Sequence, residues 1–265
     1  MEKKIAVLCY GNRDYFLKKP YAPIIALYSF KKLFGNALDY FCVSKFKNGK
    51  DISFIENMGY KALDLDYSQI FNKGNPKSSW GKYPSEGFWA GMLPEKMFAL
   101  GYDHSLIVDG DIYCNQKFSF DKLSDPEIDF FGVNHPKLHS NDEGLLNTGV
   151  LFFNNANCAK KHLSKKYIEL YYENEYWSEQ PLFQDIVKSG FLTFRELDRN
   201  FNLMLRRIDL LGENEKFDKN RVYIVHFLKG KPWLKQAPYY FKYESREYFV
   251  KKFLDLYKEL NLMPW

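Results

Sequence analysis

An α/β fold with a mostly parallel central sheet flanked by helices is predicted from three observations. Short apolar runs alternate with stretches of helical spacing along the first half of the chain. Gly35 and Gly59 stand where the first two helical stretches should stop. The 265 residues are 46% hydrophobic, enough to bury the core of one compact unit.

In order, residues 4–10 form an apolar run that ends at Gly11-Asn12, a buried strand followed by a turn. Residues 24–34 have helical spacing and Gly35 ends them. A second strand is expected over 38–43, a helix over 52–58 ended by Gly59, and a third strand over 60–65. Residues 66–87 are rich in Gly, Pro, Ser and Trp and are longer than an ordinary connection, which suits an active-site loop. A helix over 88–100 is interrupted near its start by Pro94, and strands follow over 105–108 and 128–133. Residues 135–146 are polar, 150–153 form an apolar strand, and helices are expected over 158–172 and 181–188. A late strand over 222–227 and an amphipathic helix over 248–260 close the chain.

The opening apolar run is too short for a signal peptide, and no segment approaches the roughly 18 apolar residues of a membrane span. A cytoplasmic protein is expected. Cys9, Cys42, Cys114 and Cys158 have no short paired spacing and read as buried reduced thiols. The net charge of +5 is modest, and no nucleic-acid partner is expected. Most of the excess lies after His226, where eight Lys or Arg face four acids among many aromatics. That composition suits an anionic membrane surface, a phosphate-bearing ligand or plain solubility.

Chemistry concentrates at two places. The run Leu106-Ile107-Val108 leads straight into Asp109-Gly110-Asp111. If extended, acids two residues apart face one side, about 6.5–7 Å from each other. They would repel unless a cation lay between them, whereas a solvated Asp-Gly turn needs none. Gly110 leaves room for a close ligand. In Val222-Tyr223-Ile224-Val225-His226 the imidazole ends an apolar row, as a core residue or a ligand. Gly230, Lys231, Pro232 and Trp233 follow; a lysine there can offset charge on a leaving diphosphate.

Together with Asn147-Thr148-Gly149-Val150-Leu151-Phe152-Phe153-Asn154 and Glu179-Gln180, these segments occur in the order found in glycosyltransferase family 8. The resemblance spans residues 5–233 and implies the GT-A nucleotide-diphospho-sugar transferase fold, with a catalytic domain over 1–235. Residues 236–265 then form a basic, aromatic helical tail packed on that domain or extending from it. The resemblance makes Asp109, Asp111 and His226 metal ligands, with Mn2+ the expected ion and Mg2+ the alternative. It places Tyr10, Tyr15, Asp109, Gly110, Asn147, Gly149, Gly230 and Lys231 at the donor, and Glu179 and Gln180 beside the anomeric carbon. The implied reaction moves a hexose or related sugar from a UDP-sugar, with retention, to a glycan, glycolipid or protein acceptor. Work at the cytoplasmic face of an anionic membrane would suit the basic tail.

The chain departs from the family pattern in four ways. Ala90 stands where an Arg or Lys usually touches the donor, with Lys96 nearby. His226 and Lys231 are five apart rather than six, which brings in Lys229. Glu179 replaces the commoner Asp and Gly110 the commoner Ala. Two other readings are a nucleotidyltransferase that makes nucleotide sugars and a non-catalytic nucleotide-sugar-binding protein. The first lacks support, since Gly11-Asn12-Arg13-Asp14-Tyr15 has one glycine and no phosphate-cradling loop.

Overall fold

The computed structural model describes residues 3–71, 85–135, 144–205, 218–227, 231–233 and 244–262. Its first half alternates as expected: β1 (Ile5–Tyr10), α1 (Arg13–Leu17), α2 (Ala22–Phe34), β2 (Asp39–Ser44), α3 (Gly49–Asn57), β3 (Lys61–Asp64), α4 (Leu93–Ala99) and β4 (His104–Val108). Then come β5 (Ile112–Cys114), β6 (Phe130–Asn134), β7 (Leu146–Asn154), α5 (Asn155–Lys160), α6 (Leu163–Glu173), α7 (Glu179–Lys188), β8 (Phe194–Glu196), β9 (Leu203–Met204), β10 (Ile224–His226) and α8 (Glu244–Glu259). Gly35 and Gly59, the expected helix stops, both have positive φ, a conformation only glycine adopts freely.

A seven-stranded sheet has the order β3-β2-β1-β4-β7-β6-β8. The neighbours from β3 to β4 are parallel, β7 is antiparallel to both β4 and β6, and β8 is parallel to β6. A smaller sheet, β5-β10-β9, lies beyond the end of β4. Strand alternation divides the core. Ala6 and Leu8 of β1 face a cluster closed by Met97, Leu163, Tyr167, Leu182 and Phe183, from α4, α6 and α7. Val7 and Cys9 face Ile24, Leu27, Phe30 and Ile55, from α2 and α3. All four cysteines are buried free thiols.

Three expected elements differ. The helix over 88–100 is two pieces: a 3-10 segment (Ser85–Met92) and then α4, with Pro94 in the first turn of α4, where a missing N–H costs nothing. The helix over 158–172 breaks at His162, whose φ is 56°, and separates α5 from α6. The strand expected over 150–153 begins four residues earlier, because the polar Asn147 and Thr148 are buried with side-chain partners rather than solvated. Most of the candidate loop over 66–87 and of the polar segment over 135–146 lies outside the described residues.

The expected closing helix is α8. Phe249, Phe253 and Tyr257 are buried against β9, β10 and Ile25 of α2. Glu259 pairs with Lys32 of α2 at 2.6 Å. Among the described residues, no helix is long and apolar enough to cross a membrane.

Candidate active site

β4 ends at Val108, and the chain turns through Asp109-Gly110-Asp111 into β5. Both acids therefore lie in the seam between the two sheets rather than along one extended strand. Backbone bonds fix the turn at each side. The Asp109 amide donates to the Gly149 carbonyl of β7 at 3.0 Å, and the Phe227 amide after β10 donates to the Asp111 carbonyl at 2.9 Å. This is the edge of the parallel run, where ligands of open α/β sheets bind.

The turn gathers both acids around His226. The Nε2 of His226 lies 3.4 Å from Asp111 Oδ1 and 3.6 Å from Asp109 Oδ2. One ligand atom from each of the three falls within 4.8 Å of the others. His226 and Asp111 are buried, while the Asp109 side chain is 38% exposed and faces the opening. Lys231 donates its ammonium to Asp111 Oδ2. Burial alone would raise the Asp111 carboxyl, but His226 and Lys231 outweigh it and hold the group well below the usual range. At Asp109, though part of the side chain is exposed, desolvation by the protein packed around the carboxyl outweighs His226 and Lys231 and pushes it up, with Asp111 adding to the rise.

This donor set fits a divalent cation. Two carboxylates and an imidazole nitrogen converge from three strand ends, with ligand atoms close enough to share one ion. The cradle is tight. A Cβ on Gly149 would stand 2.3 Å from His226 Cε1, so the glycine is required for the imidazole to lie where it does.

Among the described residues, Tyr15, Asn147 and Gly149, named from the sequence, lie at the same seam. The Gly149 amide donates to Asn147 Oδ1 at 3.0 Å. Tyr15 packs over the turn, its hydroxyl where a Cβ of Gly110 would meet it at 2.4 Å. Burial, then Asp111, drives the Tyr15 hydroxyl well above its ordinary range, so it stays neutral. Tyr10 is buried, and its hydroxyl reaches the Gly87 carbonyl at 3.4 Å. Glu179 opens α7 and turns inward: it is 5% exposed and accepts from Thr148 Oγ1 at 2.5 Å. Gln180 is half-buried, with Oε1 3.3 Å from His135 Nε2. Ala90 is fully buried in the core, so no side chain of that position reaches the opening. Gly230 and Lys229 lie outside the described residues.

The sequence reading missed Asn202, His135 and Thr148. Asn202 is fully buried, with Oδ1 3.1 Å from His226 Nδ1, and donates through Nδ2 to Asn147 Oδ1 at 2.7 Å. Asn147 Nδ2 in turn lies 3.2 Å from His135 Nε2. The one local hint was an asparagine directly before an apolar pair, in Asn202-Leu203-Met204, which is too common to single out.

Residues 96–237 match the sequence profile of "Glycosyl transferase family 8". No curated protein sequence matches the chain. Among solved structures, the chain is similar to an active-site mutant of LgtC, with TM-score 0.68 and 13% identity over 96% of this chain and 95% of that one. It is similar also to the galactosyltransferase LgtC in complex with donor and acceptor sugar analogues, with TM-score 0.66, 13% identity and the same coverage. The glycosyltransferase GlyE of Streptococcus pneumoniae aligns with TM-score 0.64 and 16% identity over 98% of this chain and 64% of that one.

Proposed function

Since the chain belongs to glycosyltransferase family 8, and so is a glycosyltransferase of the metal-dependent, retaining kind with the GT-A fold, we propose that its donor is a UDP-sugar held over Asp109, Asp111 and His226. One observation carries this: three ligand atoms of these residues converge within 4.8 Å at the sheet edge. Manganese is the proposed ion, with magnesium the alternative; when bound, it supplies Lewis-acid stabilisation of the departing diphosphate.

The chain's own residues do the rest. Lys231, whose ammonium already sits on Asp111, supplies a charge-assisted donor to the leaving diphosphate. Tyr10, Tyr15 and the missing side chain of Gly110 shape the nucleotide side. Asn147 and Gly149 lie on the donor-sugar side, and Gly230 belongs to the diphosphate loop by its place in the sequence. Glu179 is turned inward onto Thr148, which leaves Gln180 nearer the opening. A side-chain amide is a poor nucleophile, so Gln180 positions the sugar while the acceptor enters on the leaving-group face. The acceptor is a glycan, glycolipid or protein hydroxyl.

The test is a thermal-shift screen of UDP-Glc, UDP-Gal, UDP-GlcNAc, UDP-Xyl and GDP-sugars with and without Mn2+, followed by NMR of the product's anomeric carbon. A UDP-sugar should raise Tm only with the ion, and an α-linked donor should give an α-linked product. Selective stabilisation by GDP-sugars, or inversion, would contradict the proposal. Pyrophosphate formed from UTP and a sugar phosphate would favour the nucleotidyltransferase instead.

A further inference from the structure

The hydrogen-bond chain behind His226 has a direction that can be worked out from one group that cannot be reversed. A backbone N–H only donates. The Gly149 amide donates to the Asn147 side chain at 3.0 Å, so the atom that receives it is the amide oxygen, whichever way the side chain might be turned. That same oxygen lies 2.7 Å from the Asn202 side chain, which must therefore present its NH2 there. The other end of the Asn202 amide, its oxygen, then faces His226 Nδ1 at 3.1 Å. An oxygen acceptor requires Nδ1 to carry the hydrogen. On the far side of the ring, Nε2 points at Asp111 and Asp109, 3.4 and 3.6 Å away.

We propose that Asn202 is a positioning residue for the reaction: it holds His226 as an Nδ1–H donor, turns Nε2 toward the two carboxylates, and joins the imidazole to Asn147 on the donor-sugar side. Asn202 does not touch the reacting atoms. The fold puts it in place through the parallel pairing of β9 with β10, which sets Met204 opposite His226 and Leu203 opposite Val225 and so brings the residue before β9 beside the ring. Asn202 is fully buried, so no solvent competes for either end of its amide. The chain continues from Asn147 Nδ2, which donates to His135 Nε2; Gln180 Oε1 lies 3.3 Å from that same nitrogen. The hydrogen-bonded row thus runs from the proposed metal ligand to His135, beside the proposed sugar-positioning residue. Partners of this kind orient a metal-binding imidazole and fix its tautomer, and their loss weakens metal affinity by about 10–100-fold.

This inference rests on reading Asp109, Asp111 and His226 as metal ligands, and its tests separate the two. The first uses the unmutated, metal-free protein. Long-range 15N–1H correlation at pH 8, with His226 assigned by comparison with His226→Ala, should show a hydrogen on Nδ1 of His226. A hydrogen on Nε2 with a bare Nδ1 would overturn the proposal. The second measures free Mn2+ by EPR during titration. Asn202→Leu should bind Mn2+ about 10–100-fold more weakly, while Asn202→Asp, which keeps the acceptor for Nδ1, should stay much nearer wild type. An Asn202→Leu protein that is folded by circular dichroism and binds Mn2+ as wild type does would also overturn it. If Asn202→Leu fails to fold, or if wild type binds no Mn2+ and the metal reading itself falls, the nitrogen correlation alone decides Asn202.

Discussion

Asp111 and Gly149 carry the tightest constraints in the site, one electrostatic and the other steric. Asp111 is 3% exposed and takes both His226 and Lys231. Gly149 faces an imidazole that Asn202 holds from behind, so Gly149→Ala has no soft neighbour to displace. The clash at 2.3 Å should cost about 1–3 kcal/mol in stability and lower Mn2+ affinity, read by denaturant melts and by metal titration. Gly110→Ala differs, since its nearest neighbour is the far end of Tyr15, which can swing away. That variant should keep its stability within about 1 kcal/mol. Lys231→Ala should lose a few kcal/mol of transition-state stabilisation in kcat/KM. A wild-type value for Lys231→Ala, with a loss in Lys229→Ala, would move the diphosphate contact to Lys229. At this scale the sequence was readable where a motif and a strand period coincided, as at Asp109, Asp111 and His226. It was silent on Asn202, whose role depends on a pairing between residues 22 or more apart in the chain, which no local spacing encodes.

Among the elements, α8 matters to the site without contributing to it. Phe253 packs on Phe227 (centroids 5.1 Å) and on Trp233 (5.8 Å), the residues flanking the His226-to-Lys231 segment on either side. Phe253→Ala should destabilise the fold by about 3–5 kcal/mol by opening a cavity there, measured by chemical denaturation. In α3, Asn48 is the cap, and Asp51 in the first turn forms a two-pronged pair with Arg13 at 2.5 and 2.6 Å. The Arg13 guanidinium, helped by the Lys47 and Asn48 backbone, holds the Asp51 carboxyl down to about 2. A depressed carboxylate stabilises the fold above its unfolded pKa of about 4, and that contribution fades as pH falls through about 2. The penalty of Asp51→Asn should thus be full at pH 6 and shrink toward pH 2. A penalty independent of pH would show that the ion pair contributes nothing. Helices with a glycine stop or a long apolar stripe were legible from the sequence. The break at His162 was not, because nothing in His162-Leu163 marks a non-glycine residue at positive φ.

For the whole molecule, the parallel half of the sheet follows from the strand and helix alternation of the first hundred residues. The antiparallel β7 and the second sheet do not. β5, β8 and β9 are two or three residues long, too short to show a period. Yet the second sheet is what brings His226 to the acids. The anionic membrane surface proposed from the tail's composition now has narrower support. Phe249, Phe253 and Tyr257 are core residues, so charge for lipid headgroups on α8 comes from exposed lysines such as Lys251 and Lys252. If that surface is used, flotation on anionic vesicles should weaken with salt and be lost when both lysines become Glu. Protein that stays off anionic vesicles at low salt would refute it.

The central claim is that Asp109, Asp111 and His226 hold the ion on which sugar transfer depends, and Asp111→Asn tests it most directly. The substitution keeps the size of the side chain, so the fold should survive while the buried negative charge is lost. UDP release from the donor found by the thermal-shift screen is to be measured for wild type and Asp111→Asn, with Mn2+ and with EDTA. The account predicts turnover in wild type with Mn2+ alone, and none in EDTA or in the folded variant. Full turnover in EDTA, or in Asp111→Asn, would contradict it.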